Sequence, residues 1–250
     1  MNFVTWNCNG GLRNKLKEAE SLDADILIIQ ECEDPERSTQ AYRDWAGEYL
    51  WVGKNKNKGI GIFPKNGNEV TLLNWSGSYS IPGLISSSAS TTWSTAELQL
   101  FLPFRINNHY NVLACWTKGS DSQAFGYIGQ LWKYLQIHRT ELSAPNTIIA
   151  GDLNSNKVWD KPDRWWNHTD TFNEIANIGL QSLYHYQSRE IAGKETQPTF
   201  FLHRKQHKPY HIDYVLLPQN LLDEAKLSIG EYNKWITVSD HLPLIFEIGS

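Results

Sequence analysis

Residues 239–244 read SDHLPL, and the run from there to Ile248 is apolar apart from one glutamate. An acid and an imidazole, Asp240 and His241, therefore stand directly before a predicted buried strand. A carboxylate can hold a hard metal ion, and an imidazole can move a proton or hydrogen-bond a departing charge near neutral pH. Such a pair alone is more often solvated surface, so other residues must decide between the two interpretations.

The rest of the sequence alternates short apolar runs with amphipathic stripes. The apolar runs predict strands over residues 3–6, 26–30, 59–63, 70–73, 98–102, 112–116, 147–150, 212–217 and 242–248. The stripes predict helices over residues 12–22, 128–138 and 171–178, with Gly179 placed as a C-terminal cap. This alternation predicts a layered α/β domain in which helices cover sheets.

The composition bounds the class of protein. The chain has 250 residues, 40% of them hydrophobic, and neither repeat nor long linker divides it, so we predict a single domain over residues 1–250. The net charge of −4 argues against an overall basic coat, but not against a local basic groove. Three cysteines without paired spacing argue against a disulfide framework. With neither a signal-peptide pattern nor a membrane-length apolar run, we expect a cytoplasmic protein without membrane contact.

Several predicted strands end in polar side chains rather than in ordinary turn residues. In chain order these side chains are Asn7, Glu31, Asp152, Asn154 and Asp213. Asp213 is the sharpest case, because a carboxylate inside an apolar strand is costly unless it is paired. A single acid of this kind is more often a turn cap or a solvated strand end. Their repetition along the chain favours a shared functional site at the strand ends.

The acids and amides sort by chemistry. Glu31 and Asp240 are candidate oxygen ligands for a hard divalent ion, and Asn7 can add a third oxygen. Because no cysteine takes part, Mg²⁺, or Mn²⁺ in its place, is favoured over Zn²⁺. Asp152 is the candidate to accept a proton from an attacking water, or to orient that water.

The remaining candidates handle charge on the phosphate and on the imidazole. Asn154 is a neutral donor suited to a phosphoryl oxygen. Asp213 can bond one nitrogen of His241, which fixes the tautomer of the imidazole and favours its charged form.

Five short segments resemble the motifs of the endonuclease/exonuclease/phosphatase superfamily, which has a DNase I-like fold. They read WNCNG at 6–10, IQE at 29–31, GDLN at 151–154, HIDY at 211–214 and SDH at 239–241. The resemblance spans nearly the whole chain and preserves the order of the motifs. It implies a four-layer α/β/β/α sandwich, in which two packed mixed β-sheets are flanked by helices. It also implies Mg²⁺-assisted cleavage of a phosphoester by an in-line water at one edge of the sandwich.

Two positions depart from the family's usual pattern. Residues 116–119 read WTKG, where members commonly carry Thr-His or a tyrosine. Lys118 is the candidate to neutralise the phosphate at this position. The interpretation that Lys118 is an ordinary solvated loop lysine has equal weight. His211 stands where an arginine is frequent, which weakens inferences about substrate contacts at this position.

Two local patterns favour nucleic acid as the substrate. Residues 159–168 interleave aromatic and basic side chains, of which Trp165, Trp166 and His168 are candidates to contact bases. Residues 203–208 read HRKQHK, so Arg204 and Lys205 are candidates to neutralise backbone phosphates together with His211. The alternative for the first pattern is that the tryptophans pack on the scaffold, and the alternative for the second is that the basic run is a solvated surface.

The sequence therefore predicts a Mg²⁺-dependent nuclease that hydrolyses phosphodiester bonds, with DNA preferred and no protein partner indicated. A phosphatase or phosphodiesterase acting on an inositol phosphate, a lipid headgroup or a small nucleotide is the alternative, which the acidic net charge fits somewhat better. A non-catalytic binding scaffold is a third interpretation, and the retained acids count against it.

Overall fold

Two six-stranded mixed sheets form the centre of the molecule in this computed structural model, which describes residues 1–83, 91–119 and 125–249. The strands of the first sheet are β1 Asn2–Asn7, β2 Ile26–Cys32, β3 Leu50–Asn55, β4 Lys58–Pro64, β15 Ala225–Ile229 and β16 Leu244–Ile248. The strands of the second sheet are β5 Val70–Leu72, β8 Phe101–Ile106, β9 Tyr110–Trp116, β10 Thr147–Asp152, β11 Leu180–Ser182 and β14 Asp213–Pro218.

Helices and two short hairpins surround these sheets. The helices are α1 Leu16–Glu20, α2 Gln40–Ala46, α3 Ile128–Ile137, α4 Arg139–Leu142, α5 His168–Asn177, α6 Leu183–Ser188, α7 Gln219–Leu222 and α8 Tyr232–Trp235. The additional strand pairs are β6 Ser78–Ser80 with β7 Thr92–Ser94, and β12 Phe200–Phe201 with β13 Pro209–Tyr210. In the described parts of the chain, no helix combines the length and the apolar character needed to cross a bilayer.

The sheets pack face to face because their strands alternate two apolar faces. In β2, Ile26 and Ile28 enter the core between the sheets, whereas Leu27 and Ile29 face the helices outside. The second sheet follows the same rule, since β9 buries Val112 and Ala114 between the sheets and Leu113 outside. The predicted four-layer α/β/β/α arrangement is confirmed.

The strand order brings several strand ends to one edge of the sandwich. The first sheet runs β15-β16-β1-β2-β4-β3 and the second runs β11-β14-β10-β9-β8-β5. Each sheet contains one parallel pair, β1 with β2 and β9 with β10, and the other pairs are antiparallel. The carboxyl ends of a parallel pair meet at the same edge, where loops can carry a site.

The bounds of several predicted elements differ from the structure, and two of these differences have a clear backbone cause. The strand predicted over residues 98–102 is wrong at its start, because residues 95–97 form a 3₁₀ turn capped by Ser94 and Leu100 has a positive φ of 65°. The strand begins only at Phe101. The helix predicted over residues 12–22 is divided at Lys15, whose φ of −130° is not helical. Gly179 follows the last turn of α5 with a φ of 84°, as a C-terminal cap requires.

Candidate active site

The candidate site lies at the edge where the two sheets present their strand ends. Asn7 ends β1, Asp152 ends β10 and Asp213 begins β14. Because β10 and β14 are antiparallel with Asp152 directly opposite Asp213, the pairing register alone places these two carboxylates side by side. His241 enters the same edge from the segment that precedes β16.

His241 connects the two carboxylates. Its Nδ1 lies 3.0 and 3.1 Å from the two carboxylate oxygens of Asp213, and its Nε2 lies 3.9 Å from Oδ2 of Asp152. All three residues are buried. We call Asp152, Asp213 and His241 the acid–imidazole cluster.

Electrostatics within this cluster favour a charged imidazole and a more basic Asp152. Burial alone would lower the pKa of His241, but the carboxylates of Asp213 and Asp152 raise it to about 9. Burial raises the pKa of Asp152 above its usual range, against the opposing effect of the His241 charge. The imidazole is therefore charged near neutral pH, and Asp152 is a stronger base than an ordinary carboxylate.

Hydrogen bonds fix the carboxylate of Asp152. Its Oδ1 accepts from the backbone N–H of Asn154 at 2.8 Å, and its Oδ2 accepts from the side-chain amides of Asn7 at 2.9 Å and Asn154 at 2.8 Å. The Asn154 amide also donates to the backbone oxygen of Thr117 at 3.1 Å. The two asparagines thus hold one carboxylate in a single orientation.

A bulge in β2 turns Glu31 toward the site. The pairing of β2 with β4 shifts between Gln30 and Cys32, and Glu31 has a positive φ of 63°. This conformation is unfavourable for a residue other than glycine, and such strain is typical of functional positions. The Glu31 carboxylate lies 3.4 Å from the Asn7 amide nitrogen and forms an ion pair with Lys58.

The oxygens proposed from the sequence for a metal ion have different surroundings. Glu31 is partly exposed, and Asp240 is half-buried with no side-chain hydrogen bond or ion pair to another described residue. The amide oxygen of Asn7 accepts the backbone N–H of Asn9 at 3.0 Å, so this residue faces the acids through its NH₂ group.

The chemistry of this donor set suits a hard divalent ion, because Glu31 and Asp240 both offer carboxylate oxygens. The donor atoms of Asp152, Asp213 and His241 also lie within 4.8 Å of one another, as a metal site would require. However, Asp213 already engages Nδ1 of His241, so these atoms are paired with each other in the structure.

Sequence reasoning did not assign the residues that hold His241 and Asp213 in place. The hydroxyl of Thr199 donates to Oδ2 of Asp213 at 2.6 Å and accepts the backbone N–H of Asp213 at 3.1 Å. The hydroxyl of Ser239 donates to the backbone oxygen of Asn7 at 2.7 Å and accepts the N–H of His241 at 3.1 Å. The sequence signal that could have identified Thr199 is its hydroxyl side chain within the segment PTFF at 198–201.

The basic candidates lie outside the acid–imidazole cluster. Lys118 is exposed, and its Nζ lies 4.6 Å from the ring centroid of Trp116. Arg204 donates to the backbone oxygens of Thr237 at 3.0 Å and Val238 at 3.4 Å, so its guanidinium anchors the segment that leads to Ser239. Lys205, next to it, is exposed.

The aromatic and histidine candidates divide by burial. Trp165 is 49% exposed, whereas Trp166 is half-buried against Phe125, with 4.2 Å between ring centroids. His168 and His211 are both buried, and each has an Nε2 atom without a hydrogen-bond partner. Any contact of these two imidazoles with a substrate therefore requires a cleft that reaches into the protein.

A comparison with protein-family profiles settles the family. The profile described as Endonuclease/Exonuclease/phosphatase family matches residues 4–241, which includes every residue of the acid–imidazole cluster. The chain belongs to the endonuclease/exonuclease/phosphatase family. Enzymes of this family are hydrolytic phosphoesterases that use divalent metal ions, so we assign the chain as a phosphoesterase of this type.

Solved structures share the fold of this family member at low sequence identity. NExo from Neisseria, described as a 3′ phosphatase bound to a product DNA hairpin, matches with a TM-score of 0.69, 18% identity and 100% of each chain covered. An AP endonuclease from Archaeoglobus fulgidus matches with a TM-score of 0.66, 17% identity and 100% of each chain covered. A truncated TDP2 from Caenorhabditis elegans matches with a TM-score of 0.60 and 15% identity, over 100% of this chain and 97% of that one. No curated protein sequence matches the chain.

Proposed function

We propose that this protein is a Mg²⁺-dependent nuclease that hydrolyses phosphodiester bonds in nucleic acid, with DNA preferred. The observation that carries the proposal is the buried contact of His241 with Asp213 on one side and its 3.9 Å approach to Asp152 on the other. A scaffold that only binds a ligand has no need for three desolvated ionisable groups in contact. Mn²⁺ is expected to substitute for Mg²⁺, because both prefer oxygen ligands.

Asp152 acts as the general base in this proposal. Its raised pKa makes the carboxylate a better proton acceptor, and the amides of Asn7 and Asn154 hold it toward the attacking water. As the water loses its proton to Asp152, its oxygen bonds to phosphorus in line with the departing oxygen; the bond from phosphorus to that oxygen breaks, and the departing oxygen takes a proton from solvent to leave as a hydroxyl.

His241 stabilises the charge that develops on the phosphoryl group. Its imidazolium can donate from Nε2 to a phosphoryl oxygen, because Asp213 occupies Nδ1 and fixes the ring. Glu31 and Asp240 would hold the metal ion. When bound, that ion supplies a Lewis acid that neutralises phosphate charge.

Support for nucleic acid comes from the surface beside the site. Trp159 and Trp165 are both about half exposed, and Lys205 is exposed in the basic run that precedes Asp213. Exposed aromatic rings can stack on bases, and basic side chains can neutralise backbone phosphates. A Neisseria protein of the same fold has a product DNA hairpin bound, which is consistent with this choice.

We also propose that residues 1–250 act as one domain in the cytoplasm, where three buried free thiols fit a reducing compartment.

Hydrolysis of a small phosphoester is the second candidate, favoured by the net charge of −4. A substrate panel separates the two. The purified protein is incubated with Mg²⁺ and duplex DNA, single-stranded DNA, RNA, an inositol phosphate or a nucleoside monophosphate, with Asp152→Ala as the control. Cleavage of polynucleotides that the control lacks supports the nuclease; turnover of the small esters alone overturns it.

Replacing Asp213 by asparagine is expected to shift the alkaline limb of the pH profile of kcat/KM. The Asp213 carboxylate raises the pKa of His241, so its loss lowers that pKa, and the active imidazolium then deprotonates at lower pH. We expect the limb to move down by about one pH unit. The control is Asp223→Asn, which lies outside the site. An alkaline limb that stays in place in Asp213→Asn would remove Asp213 from this role.

Lys58 is expected to compete with the metal ion for Glu31. Lys58→Met removes the ammonium and should tighten Mn²⁺ binding by about two- to fivefold, the size of a partly exposed ion pair. Lys58→Arg keeps the charge but offers a bidentate partner to the carboxylate, so it should weaken binding.

Calorimetric titration of each variant with Mn²⁺ measures the effect directly. Lys56→Met controls for charge, because it removes a lysine from the same hairpin. If Lys58→Met and Lys56→Met shift the Mn²⁺ affinity equally, Lys58 does not compete for Glu31. The shift then reflects only the overall positive charge of the hairpin.

A further inference from the structure

A cleft of about 300 Å³ opens beside Asn154, between the start of α3 and residues 154–168. We call it the Trp166 cleft, and its principal lining residues are Tyr127, Asn154, Trp159, Arg164, Trp166 and His168. Because Asn154 also bonds the Asp152 carboxylate, a ligand in this cleft would lie next to the reacting phosphate.

The cleft presents flat rings that are already held in place. Gly129 makes room for Trp166, since a Cβ at this glycine would lie 2.8 Å from Cδ1 of the indole. The indole also packs against Phe125. Tyr127 is 53% exposed and is held at a positive φ of 52°. Rigid, partly exposed rings at a cleft favour a planar ligand that stacks.

One wall of the cleft is a buried histidine that carries no charge. His168 is only 2% exposed, and its Nδ1 lies 3.1 Å from the hydroxyl of Ser155. Its Nε2 has no hydrogen-bond partner. Burial lowers the pKa of His168 to about 3, so the ring is neutral. This Nε2 atom has almost no accessible surface, so the neutral ring forms part of the wall and adds no charge to it.

The carboxylate of Asp160 also lines the cleft and disfavours a phosphate beside it. The carboxylate of Asp160 accepts the backbone N–H groups of His168 at 2.9 Å and Thr169 at 3.2 Å. The amides at the start of α5 are therefore already satisfied by an anion, which would repel another one. A planar, uncharged ring that stacks on the aromatic walls fits a lining that holds both the Asp160 carboxylate and the Arg164 guanidinium.

We infer that the Trp166 cleft takes the nucleobase of a nucleotide adjoining the scissile phosphate. The inference rests on the proposed nuclease function and deepens it, because it states which part of the substrate is recognised. A base in this cleft is out of the stack, so substrates with an unpaired base at this position are preferred over fully paired duplex.

The test uses short single-stranded oligonucleotides with Mg²⁺, in which a base-less tetrahydrofuran residue replaces one nucleotide at a time around the cleavage point. For the native protein, we expect one position at which loss of the base lowers kcat/KM by about tenfold, since stacking on an aromatic ring is worth that much or more. Trp166→Ala and Trp159→Ala should each reduce that ratio toward one. Trp159→Ala removes an exposed ring and is the variant least dependent on folding.

Trp165→Ala is the matched control, because this neighbouring tryptophan does not line the cleft. It should keep the tenfold ratio even if overall binding weakens. The inference is overturned if oligonucleotides are cleaved with no position sensitive to base removal, or if Trp166→Ala and Trp159→Ala keep the native ratio. A nucleoside monophosphate that competes as strongly as the oligonucleotide would overturn the assignment to a strand. If no oligonucleotide is cleaved, the nuclease function itself fails, which is a distinct result.

Discussion

Replacing His241 by alanine is expected to slow hydrolysis by about 10²- to 10⁴-fold, the range for loss of a positioned proton-transfer group. The change removes the imidazolium that faces the phosphoryl group. It also leaves the Asp152 and Asp213 carboxylates without the positive charge between them. Because His241 opposes the effect of burial on the pKa of Asp152, that pKa should rise further, and less of the base is then ionised at neutral pH.

Steady-state kinetics with an oligonucleotide and Mg²⁺ measure this loss. His109→Ala is the control, because His109 is an exposed histidine in the turn between β8 and β9 and is expected to leave turnover unchanged. Thermal unfolding of both variants verifies that each is folded. A loss of less than tenfold in folded His241→Ala would exclude His241 from the chemistry.

Replacing Asp152 by asparagine is expected to give a loss of similar or larger size, about 10²- to 10⁴-fold or more in kcat. The amide cannot take a proton from water. It also places an NH₂ group or a weaker acceptor where Asn7 and Asn154 now donate two hydrogen bonds. The asparagines would then turn away, so the water loses both its base and its orientation.

The matched control for this variant is Asp163→Asn, which changes an exposed aspartate near the same loop. Single-turnover kinetics separate the chemical step from binding. We expect the rate of that step to fall in Asp152→Asn alone. Substrate binding that weakens while the chemical rate holds would mean that Asp152 positions the substrate and is not the base.

The fold was largely accessible from the sequence because its strands are buried on both faces. Runs such as residues 26–29 and 148–150 are apolar at consecutive positions, which marks them as strands without reference to distant residues. Exact boundaries depended on single backbone conformations. The positive φ at Leu100 and the non-helical Lys15 ended elements that the apolar pattern would have continued.

The acids of the site could be predicted from the sequence for the same local reason, since polar groups at the ends of apolar strands stand out. The residues that contact these acids could not be predicted in this way. Thr199 lies 14 residues from Asp213, and Lys58 lies 27 residues from Glu31, so only the folded chain brings each pair together. The bulge that turns Glu31 toward the site follows from the pairing of β2 with β4. A local stretch of sequence does not show which strands pair, so the bulge could not be predicted from it.

Candidate substrate contacts were the hardest to judge from residue type. Arg204 lies in a basic run, yet its guanidinium holds two backbone oxygens of its own chain. His168 lies in an aromatic and basic loop, yet it is buried and neutral. Residue type shows what a side chain can bind, whereas packing determines whether that side chain is free to bind it.

The most direct test of metal-dependent phosphodiester hydrolysis at this site is cleavage of a labelled DNA oligonucleotide by the native protein and by Asp152→Asn, each with Mg²⁺ and with excess chelator. We predict cleavage by the native protein with Mg²⁺, no cleavage with chelator, and almost none by Asp152→Asn in either condition. Equal cleavage by the two proteins, or cleavage that persists in chelator, would contradict the proposed function.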